Sequence, residues 1–372
     1  MWDDRIRRLL HHSAKGDWST INTELRRFAA WQAANTPLAA LFPRPLEPVE
    51  ALYQQPVLDL GANGNAPLNM IFSPIYDPSA VAYYLHSQFT DHAETYQQKY
   101  ENFTYFRALL MQGLAHTPFT ANQRLTILDI GCGAGNTTIP LIDLFPEATL
   151  IASDFSIELL ILLRRTLLQR YKRVRCGLMQ LNAEELDFAP ASFDLVVGGA
   201  ILHHLFAPEK TLIGCKHILK PGGYAIFYEP FENGSSILRL IFKQILHDSR
   251  AATLPPEVVQ VLTAHIIDIE ARRGSDKSAP YFPHIDDKWL FTTNYFRDLA
   301  AKLGFRRCLV LPIHSTDHPF SNQIQVYMQL GTPYGRDGLP AWAWEYAAAY
   351  DDAFSPDLKA ELLIEGCVIL ER

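Results

Sequence analysis

Three glycines at alternate positions form the most distinctive chemical pattern of this chain. Gly131, Gly133 and Gly135 follow the largely apolar run 127–130, and a mostly apolar stretch, 139–144, comes next. The order is therefore strand, glycine turn, helix, which is the unit that lays a nucleotide-like ligand across the carboxyl end of a parallel sheet. Glycine suits such a loop because a Cβ would block the close approach of the backbone to the ligand.

The glycine spacing separates two classes of nucleotide ligand. A dinucleotide fingerprint reads G-x-G-x-x-G, whereas this loop has glycine at alternate positions and Asn136 after the last of them. The loop therefore fits a pyrophosphate poorly, and an NAD-dependent oxidoreductase is disfavoured. Asp154 ends the next predicted strand, roughly 20 residues beyond the glycines, where an acidic residue can accept hydrogen bonds from both ribose hydroxyls.

Further strands follow in series, each ending in polar or small residues. The predicted strands are 148–152, 174–181, 192–200 and 224–228, and a Pro-Gly-Gly turn precedes the last. The loop 129–135 resembles motif I of the class I S-adenosylmethionine-dependent methyltransferases, D-x-G-x-G-x-G, and the later blocks occur in that family's order and spacing. The resemblance covers about residues 120–232 strongly and 286–330 weakly.

The resemblance implies an α/β fold with a seven-stranded Rossmann-like sheet, mainly parallel with an antiparallel last strand. We expect a mainly helical N-terminal lobe at 1–120, with a long helix over 91–116. The predicted core is 121–232 and 288–331, interrupted by an inserted helical cap at 233–287. Residues 305–313 and 322–330 are predicted as its last two strands, and 332–372 as a C-terminal tail with an aromatic helix.

The resemblance also implies a set of residues around S-adenosyl-L-methionine. The glycines would pass close to its methionine part, Asp129 would hold the ammonium side, and Asp154 would bind the ribose hydroxyls with Phe155 beside the adenine. Asn182 stands where the family more often has Asp and can still accept from the adenine amino group. The complete predicted cofactor set is Asp129, Gly131, Cys132, Gly133, Gly135, Asp154, Phe155, Asn182, Ala183, Gly199 and Ala200.

Two histidines and a glutamate follow neighbouring strands of this topology. His203 and His204 come after the fourth core strand and Glu229 after the fifth, so both sets should emerge at the same edge of the sheet. An imidazole with a carboxylate nearby can act as a general base for a hydroxyl or amine acceptor. We expect His204, or alternatively His203, to be the base and Glu229 to orient the imidazole. Weaker candidates are His247, Tyr281, His284 and His314.

Composition limits the class of acceptor and partner. The chain has 372 residues, 48% of them hydrophobic, and a formal net charge of -7, so it can form a large core and gains little from a phosphate backbone. Residues 198–201 read Gly-Gly-Ala-Ile and also lack the N/D-P-P-Y/F sequence of enzymes that methylate amide or nucleobase nitrogens. We expect a small-molecule acceptor, no nucleic-acid or membrane partner, and leave a homodimer open.

Cysteine usage and the N-terminus bear on the compartment. The five cysteines are scattered with no C-x-x-C pair, which is typical of a reduced compartment rather than of a disulfide framework or a zinc site. The chain opens with acidic residues and no apolar h-region, and no run reaches the ~20 apolar residues of a membrane span. We expect a cytoplasmic protein with no metal ion.

Three functions stay open on the sequence. The first is methyl transfer to a small hydroxylated acceptor. The second keeps S-adenosylmethionine but uses it in non-methyl chemistry such as cyclisation. The third is a non-catalytic partner subunit of a modifying complex, with the tail as its docking element. Production of S-adenosylhomocysteine would separate the first from the other two.

Overall fold

The chain folds as two compact units in the computed structural model. Unit 1 comprises Met1–Gly199 and Lys210–Tyr224, and unit 2 comprises Ala200–Glu209 and Ala225–Arg372. The structure describes residues 41, 47–48, 71–74, 85–121, 123–172 and 174–372. Most of the predicted N-terminal lobe, including its helical residues 1–35, lies outside the described residues.

Parallel strands with buried apolar residues form the sheet of unit 1. The strand β3 (Thr126–Ile130) lies between β4 (Thr149–Asp154) and β6 (Phe193–Gly199), and Ile127 of β3 is opposite both Leu150 and Leu195. Two further strands, β5 (Cys176–Gln180) and β2 (Ile71–Ser73), follow beyond β4, and all four of these strand pairs are parallel. Such near-continuous apolar runs are typical of strands covered on both faces. The strands are β1 (Glu47–Pro48), β2 (Ile71–Ser73), β3 (Thr126–Ile130), β4 (Thr149–Asp154), β5 (Cys176–Gln180), β6 (Phe193–Gly199) and β7 (Leu219–Pro230), which continues into unit 2.

The complete strand order, within the described residues, is β1-β2-β5-β4-β3-β6-β7-β9-β8, where β8 is Arg307–Pro312 and β9 is Glu365–Glu371. The predicted fold class is confirmed: the sheet is mainly parallel, and β9 runs antiparallel to β8. The short strands β1 and β2 at one edge add two to the expected seven.

Helices flank the strands of unit 1, and polar side chains set where they begin. Ser156 accepts a hydrogen bond from the Leu159 amide at the start of the helix that follows β4, and Asn102 does the same for Tyr105. The helices are α1 (Ala93–Tyr100), α2 (Phe103–Leu114), α3 (Thr138–Leu144), α4 (Ile157–Arg170) and most of α5 (Pro208–Ile218). The prediction of one long helix over 91–116 is wrong, because Asn102 leaves the helical conformation and starts α2 as its cap.

Unit 2 combines the end of β7 with β8, β9 and six helices. Its helices are α6 (Glu232–His247), α7 (Pro256–Arg272), α8 (Thr293–Leu303), α9 (Pro319–Gly331), α10 (Ala341–Ala353) and α11 (Pro356–Glu361). Leu309 pairs with Ile369 in the antiparallel β8–β9 ladder. The last strand in chain order, β9, therefore comes from the segment predicted as a tail.

The prediction of a strand at 322–330 is wrong, because this segment is α9. Phe320, Ile324 and Met328 are buried at a spacing of four residues, which is helical spacing. The buried carboxylate of Asp351 accepts hydrogen bonds from the Phe320 and Ser321 amides, so it caps the helix from a distant part of the chain. Leu330, the last residue of the predicted strand, is 56% exposed.

The two helices of the predicted cap, α6 and α7, share one apolar core with α9 and α10. Its fully buried members include Ile241, Leu262, Phe320 and Ala343, one from each helix. The inserted segment and the aromatic helix of the tail therefore form a single packed layer. Among the described residues, no helix is long and apolar enough to cross a membrane.

Gly234 generates a prediction about the packing of unit 2. A Cβ at this position would lie 2.6 Å from the Leu362 carbonyl oxygen, and the Gly234 amide donates to the Leu363 carbonyl at 2.7 Å. Gly234→Ala should lower the free energy of unfolding by about 1–3 kcal/mol, because backbone cannot move aside as a side-chain tip can. Gly177→Ala is the control, since in the part of the chain that the structure describes no atom lies within 4 Å of the place its methyl group would take. Equal stability of the two variants in urea titrations would contradict the packing.

Candidate functional site

The glycine loop of unit 1 adopts a conformation that favours glycine at each of its three positions. The φ angles are 63° at Gly131, 52° at Gly133 and 108° at Gly135. A methyl group on Gly135 would lie 2.6 Å from Cδ1 of Leu163 in α4, whereas no atom of the described residues lies within 4 Å of the same position on Gly133. Gly135 therefore serves the packing of loop against helix, and Gly133 presents open backbone.

Asp154, at the end of β4, lies against this loop. Its Oδ2 accepts a hydrogen bond from the Gly133 amide at 2.8 Å, and its Oδ1 accepts one from the Ser156 amide at 2.8 Å. The carboxylate is thereby held beside the open backbone of Gly133. Phe155 follows in the bend, and its carbonyl accepts from the Gln180 side chain at 3.0 Å.

Asp129 is the fully buried carboxylate of the site. The Thr137 hydroxyl donates to both of its oxygens at 2.8 Å, and the Thr138 hydroxyl donates to Oδ2 at 2.5 Å. Burial raises the pKa of Asp129 to about 7, although the two threonine hydrogen bonds act in the opposite direction. The structure thus places this predicted ammonium ligand beneath the loop with two hydroxyl partners.

Asn136 connects the loop to the junction of α1 and α2. Its Oδ1 accepts from the Asn102 amide at 2.9 Å, and its Nδ2 donates to the Tyr100 carbonyl at 3.0 Å. The residue that distinguishes this loop from a dinucleotide fingerprint therefore fixes the break between two helices. The sequence alone assigned Asn136 no structural role: it was noted only because it occupies the position of the last glycine in a dinucleotide fingerprint.

The remaining predicted cofactor residues of unit 1 surround these groups. Cys132 is buried and its amide donates to the Ser153 carbonyl, while a methyl group on Gly199 would lie 2.7 Å from Cγ2 of Thr137. Asn182 is also buried and accepts from the Glu184 amide at 3.0 Å. Ala183 accepts from the Thr211 hydroxyl through its carbonyl. The ends of β3, β4 and β6 and the residues after β5 therefore supply this set.

Ala200 opens the second group of predicted residues, which belongs to unit 2. It has a φ of 59°, rare for a residue with a Cβ, and its amide donates to the Tyr228 carbonyl at 2.9 Å. This single contact ties the turn after β6 to the residue before Glu229. The backbone strain is thus offset by a hydrogen bond to β7.

Glu229 organises the turn that carries the two histidines. Its Oε1 accepts from the Ile201 and Leu202 amides at 3.1 and 2.8 Å, and its Oε2 accepts from the His203 amide at 3.2 Å. The same Oε2 lies 2.7 Å from Nδ1 of His203. The structure therefore pairs Glu229 with His203 rather than with His204.

His203 lies between two carboxylates. Its Nε2 is 3.6 Å from Oδ1 of Asp287, on the opposite side of the ring from Glu229. Burial alone would lower the pKa of His203, but the charges and hydrogen bonds of Asp287 and Glu229 raise it to about 9. In the ligand-free protein this imidazole is therefore protonated at neutral pH.

His204 lies against His203 and faces the same acidic segment. The ring centroids are 4.1 Å apart, and Nδ1 of His204 is 3.3 Å from Oδ1 of Asp287 and 3.6 Å from Oδ1 of Asp286. Burial would raise the pKa of Asp287, but His203, His204 and Arg272 hold it well below its usual range.

Sequence reasoning missed Asp287 and Arg272, which complete this group. Arg272, at the end of α7, is 3.2 Å from Oδ2 of Asp287 and donates to Oδ2 of Asp268 at 2.8 Å. The segment that carries Asp287 is fixed to the histidine turn, because the Lys288 amide donates to the His203 carbonyl at 2.7 Å. The available signal was the adjacent acidic pair at 286–287, which no local pattern connects to residues more than 80 positions away.

The weaker candidates do not join this group. His314 accepts from the Ile364 amide at 3.2 Å through Nε2, and Nδ1 of His247 donates to the Lys243 carbonyl. Tyr281 and His284 are exposed. These four side chains have local structural partners or face solvent.

In a comparison with known proteins, residues 127–223 match the family described as "Methyltransferase domain". An uncharacterized methyltransferase of Schizosaccharomyces pombe is 34% identical over 103 residues, which cover 26% of this chain and 37% of the relative. The malonyl-acyl-carrier-protein O-methyltransferase of Haemophilus ducreyi is 33% identical over 100 residues, or 27% of this chain and 38% of the relative. That of Priestia megaterium is 28% identical over 151 residues, or 41% and 52%.

The chain thus spans between 37% and 52% of the length of these curated relatives. Among solved structures, the phosphoethanolamine N-methyltransferase 2 of Haemonchus contortus in complex with S-adenosyl-L-methionine aligns with a TM-score of 0.48 and 14% identity. The alignment covers 82% of this chain and 62% of that chain. A likeness at this level carries no information on activity.

The buried carboxyl of Asp129 generates a prediction on pH and stability. Its folded-state pKa of about 7 lies above the ordinary value of 3.8, so the protonated form favours folding and stability falls as the pH rises from about 4 to 7. Between pH 5 and pH 8, ionisation of Asp129 should cost the unaltered protein, without ligand, roughly 2–3 kcal/mol of unfolding free energy. Asp129→Asn should not show this loss.

Urea unfolding at both pH values measures this difference. Asp143→Asn is the control, because Asp143 is exposed. An unchanged pH dependence in Asp129→Asn would show that the Asp129 carboxyl is ionised in the folded protein throughout this range.

Proposed function

We propose that the chain transfers a methyl group from S-adenosyl-L-methionine to a hydroxyl of a small molecule, on the premise that residues 127–223 match the methyltransferase-domain family and resemble its class I members. The observation that carries the proposal is the pair formed by Gly133 and Asp154. Open backbone and a strand-terminal carboxylate lie side by side at a hydrogen-bond distance of 2.8 Å. This is the arrangement that a ribose-bearing cofactor requires at the carboxyl edge of a parallel sheet.

The cofactor would lie along the ends of β3, β4 and β6. Its methionine part would pass over Gly133, and Asp154 would accept hydrogen bonds from the ribose hydroxyls beside Phe155. Asn182 would meet the adenine, and Gly199 would border the sulfonium. Gly199 suits that position because even a methyl group there would collide with Thr137.

The acceptor class is supported by charge and by the named relatives. Two relatives are O-methyltransferases by name, and they match over only part of their length. A net charge of -7 gives this chain little attraction for a polyanion. We therefore favour a small hydroxylated acceptor over a nucleic acid.

Methyl transfer is an in-line displacement that needs alignment more than covalent assistance. The acceptor oxygen forms a bond to the methyl carbon while the carbon–sulfur bond breaks. The electron pair of the broken bond stays on sulfur, which gives S-adenosylhomocysteine. Holding the three atoms in line and excluding water supplies much of the rate. The hydroxyl proton must leave the acceptor, which is the task of a base.

We assign that task to the histidine turn of unit 2. Glu229 holds His203 by Nδ1, so Nε2 is the nitrogen that takes the acceptor's proton, after the ring has lost the proton that Glu229 and Asp287 favour at neutral pH. His204 is the alternative base, and its Nδ1 faces Asp287. In either case Glu229 acts as a positioning residue, because it fixes the turn through three backbone amides.

Cofactor binding provides the first test of this function. The purified protein should bind S-adenosylmethionine and S-adenosylhomocysteine but not NAD. Asp154→Ala should weaken the binding of both sulfur ligands by about 1.5–3 kcal/mol, which is the scale of hydrogen bonds to a charged group. Calorimetry measures this difference. Asp143→Ala, which removes an exposed carboxylate, is the control. Tighter binding of NAD, or no binding of either sulfur ligand, would refute the cofactor assignment.

Turnover of histidine variants provides the second test. With an acceptor found in a donor-turnover screen of hydroxylated small molecules, His203→Ala or His204→Ala should slow single-turnover methyl transfer by about 10²–10⁴-fold. Glu229→Gln should slow it as well, and all three should bind the cofactor within a few-fold of the unaltered protein. His284→Ala is the matched control on an exposed histidine.

Near-normal rates in all three variants would contradict a histidine base in this turn. Cofactor binding without any S-adenosylhomocysteine production over a broad screen would instead favour non-methyl chemistry or a partner subunit.

A further inference from the structure

We propose that His203, His204 and Asp287 bind a divalent transition-metal ion such as Zn²⁺. The inference concerns unit 2 alone and goes beyond methyl transfer. It reverses the expectation from sequence that the chain has no metal site. That expectation rested on the scattered cysteines, whereas the ligands here are two adjacent histidines and an aspartate from a distant segment.

The three side chains offer ligand atoms at suitable separations. One ligand atom from each residue lies within 4.8 Å of the others. Oδ1 of Asp287 is 3.3 Å from Nδ1 of His204 and 3.6 Å from Nε2 of His203. A tetrahedral ion with bonds of about 2.0–2.1 Å separates its ligands by about 3.3–3.5 Å. Two of the three separations therefore lie within 0.3 Å of this range, and the third, between the two imidazoles, is within 4.8 Å.

Each of two ligands is held by a partner on its far side. Glu229 binds Nδ1 of His203 at 2.7 Å, so the ring presents Nε2 to the cluster. Arg272 lies 3.2 Å from Oδ2 of Asp287, so the carboxylate presents Oδ1. A carboxylate behind a ligating histidine is the usual outer partner of a protein metal site, because it fixes the ring and raises its basicity.

The backbone also fixes the two segments to each other. The His203 carbonyl accepts hydrogen bonds from the amides of Lys288 and Trp289 at 2.7 and 3.2 Å. The Trp289 indole donates to the Leu205 carbonyl at 2.8 Å. The histidine turn and the segment that carries Asp287 are therefore joined on both sides of the three ligands.

The ligand types select the ion. Two imidazoles and one carboxylate suit Zn²⁺, Co²⁺, Ni²⁺ or Fe²⁺, whereas Mg²⁺ and Ca²⁺ prefer oxygen ligands throughout. Three protein ligands leave a fourth position for water or an acceptor atom, as in catalytic rather than structural zinc sites. The side chains of His204 and Asp287 are 21% and 36% exposed, so an ion can reach them from solvent.

A network of ion pairs without a metal is the competing explanation for these contacts. Arg272 neutralises part of the charge of Asp287, and a proton on His203 would satisfy both of its carboxylate neighbours. A metal ion and a proton exclude each other at Nε2 of His203, so an occupied site would not act through that nitrogen as a base.

Equilibrium dialysis of the full chain against Zn²⁺, after removal of bound ions with a chelator, tests the site. We expect one ion per chain. Glu229→Gln should weaken binding by about 10–100-fold, the usual effect of losing an outer partner, and Asp287→Asn and His204→Ala by at least as much. His284→Ala, which alters an exposed histidine of the same segment, should leave binding unchanged.

A second measurement keeps the test decisive if a variant fails to fold, as judged by circular dichroism. X-ray absorption of the Zn²⁺-loaded protein should show two imidazole nitrogens and at least one oxygen. A shell containing sulfur, equal binding by the ligand variants and the control, or no bound ion would overturn the proposal and leave the ion-pair network. Neither measurement uses S-adenosylmethionine or an acceptor. A failure of the metal-site proposal can therefore be distinguished from a failure of the methyl-transfer proposal.

Discussion

The hydrogen bonds of the buried Glu229 carboxylate are the interaction on which the histidine turn depends. One side chain accepts from three successive backbone amides and holds an imidazole 2.7 Å away. A carboxylate with so little exposure loses its hydration and is stable only when such charge-assisted bonds replace it. The turn after β6 therefore has one well-determined conformation, and this conformation sets the positions of both histidines.

Unit 1 uses the same device at the end of another strand. Asp154 accepts from the Gly133 amide on one side and from the Ser156 amide on the other. The carboxylate fixes the loop through its backbone, and no side chain of the described residues comes within 4 Å of the place that a Cβ on Gly133 would take. In both units a strand-terminal acid orients a turn through amides, which leaves the chemical groups of that turn accessible.

Much of the fold and part of the candidate site could be predicted from sequence, because they depend on local patterns. The glycine loop and the strand ends of Asp154 and Glu229 follow from short motifs and apolar runs. The strand predicted at 322–330 was wrong because the buried residues Ile324 and Met328, four positions apart, fit both the two-residue period of a strand and the spacing of one helix face. The deciding interaction, the Asp351 carboxylate at the start of α9, comes from 30 residues away. Asp287 was missed for the same reason, since only the folded chain brings it to His203.

The place of β9 in the sheet has a consequence for how the protein is made. Translation delivers β7, then β8, and then 52 intervening residues at 313–364 before β9, yet β9 lies between the other two. While those residues emerge from the ribosome, β7 keeps one edge of unpaired amides and carbonyls facing an open slot, and β8, the outermost of the described strands, lacks a strand partner on either edge. Such edges attract other chains, so nascent unit 2 is most vulnerable to misassembly during this interval. The final strand closes the slot by inserting between two strands already synthesised, and a pause in translation just before it would prolong that exposure.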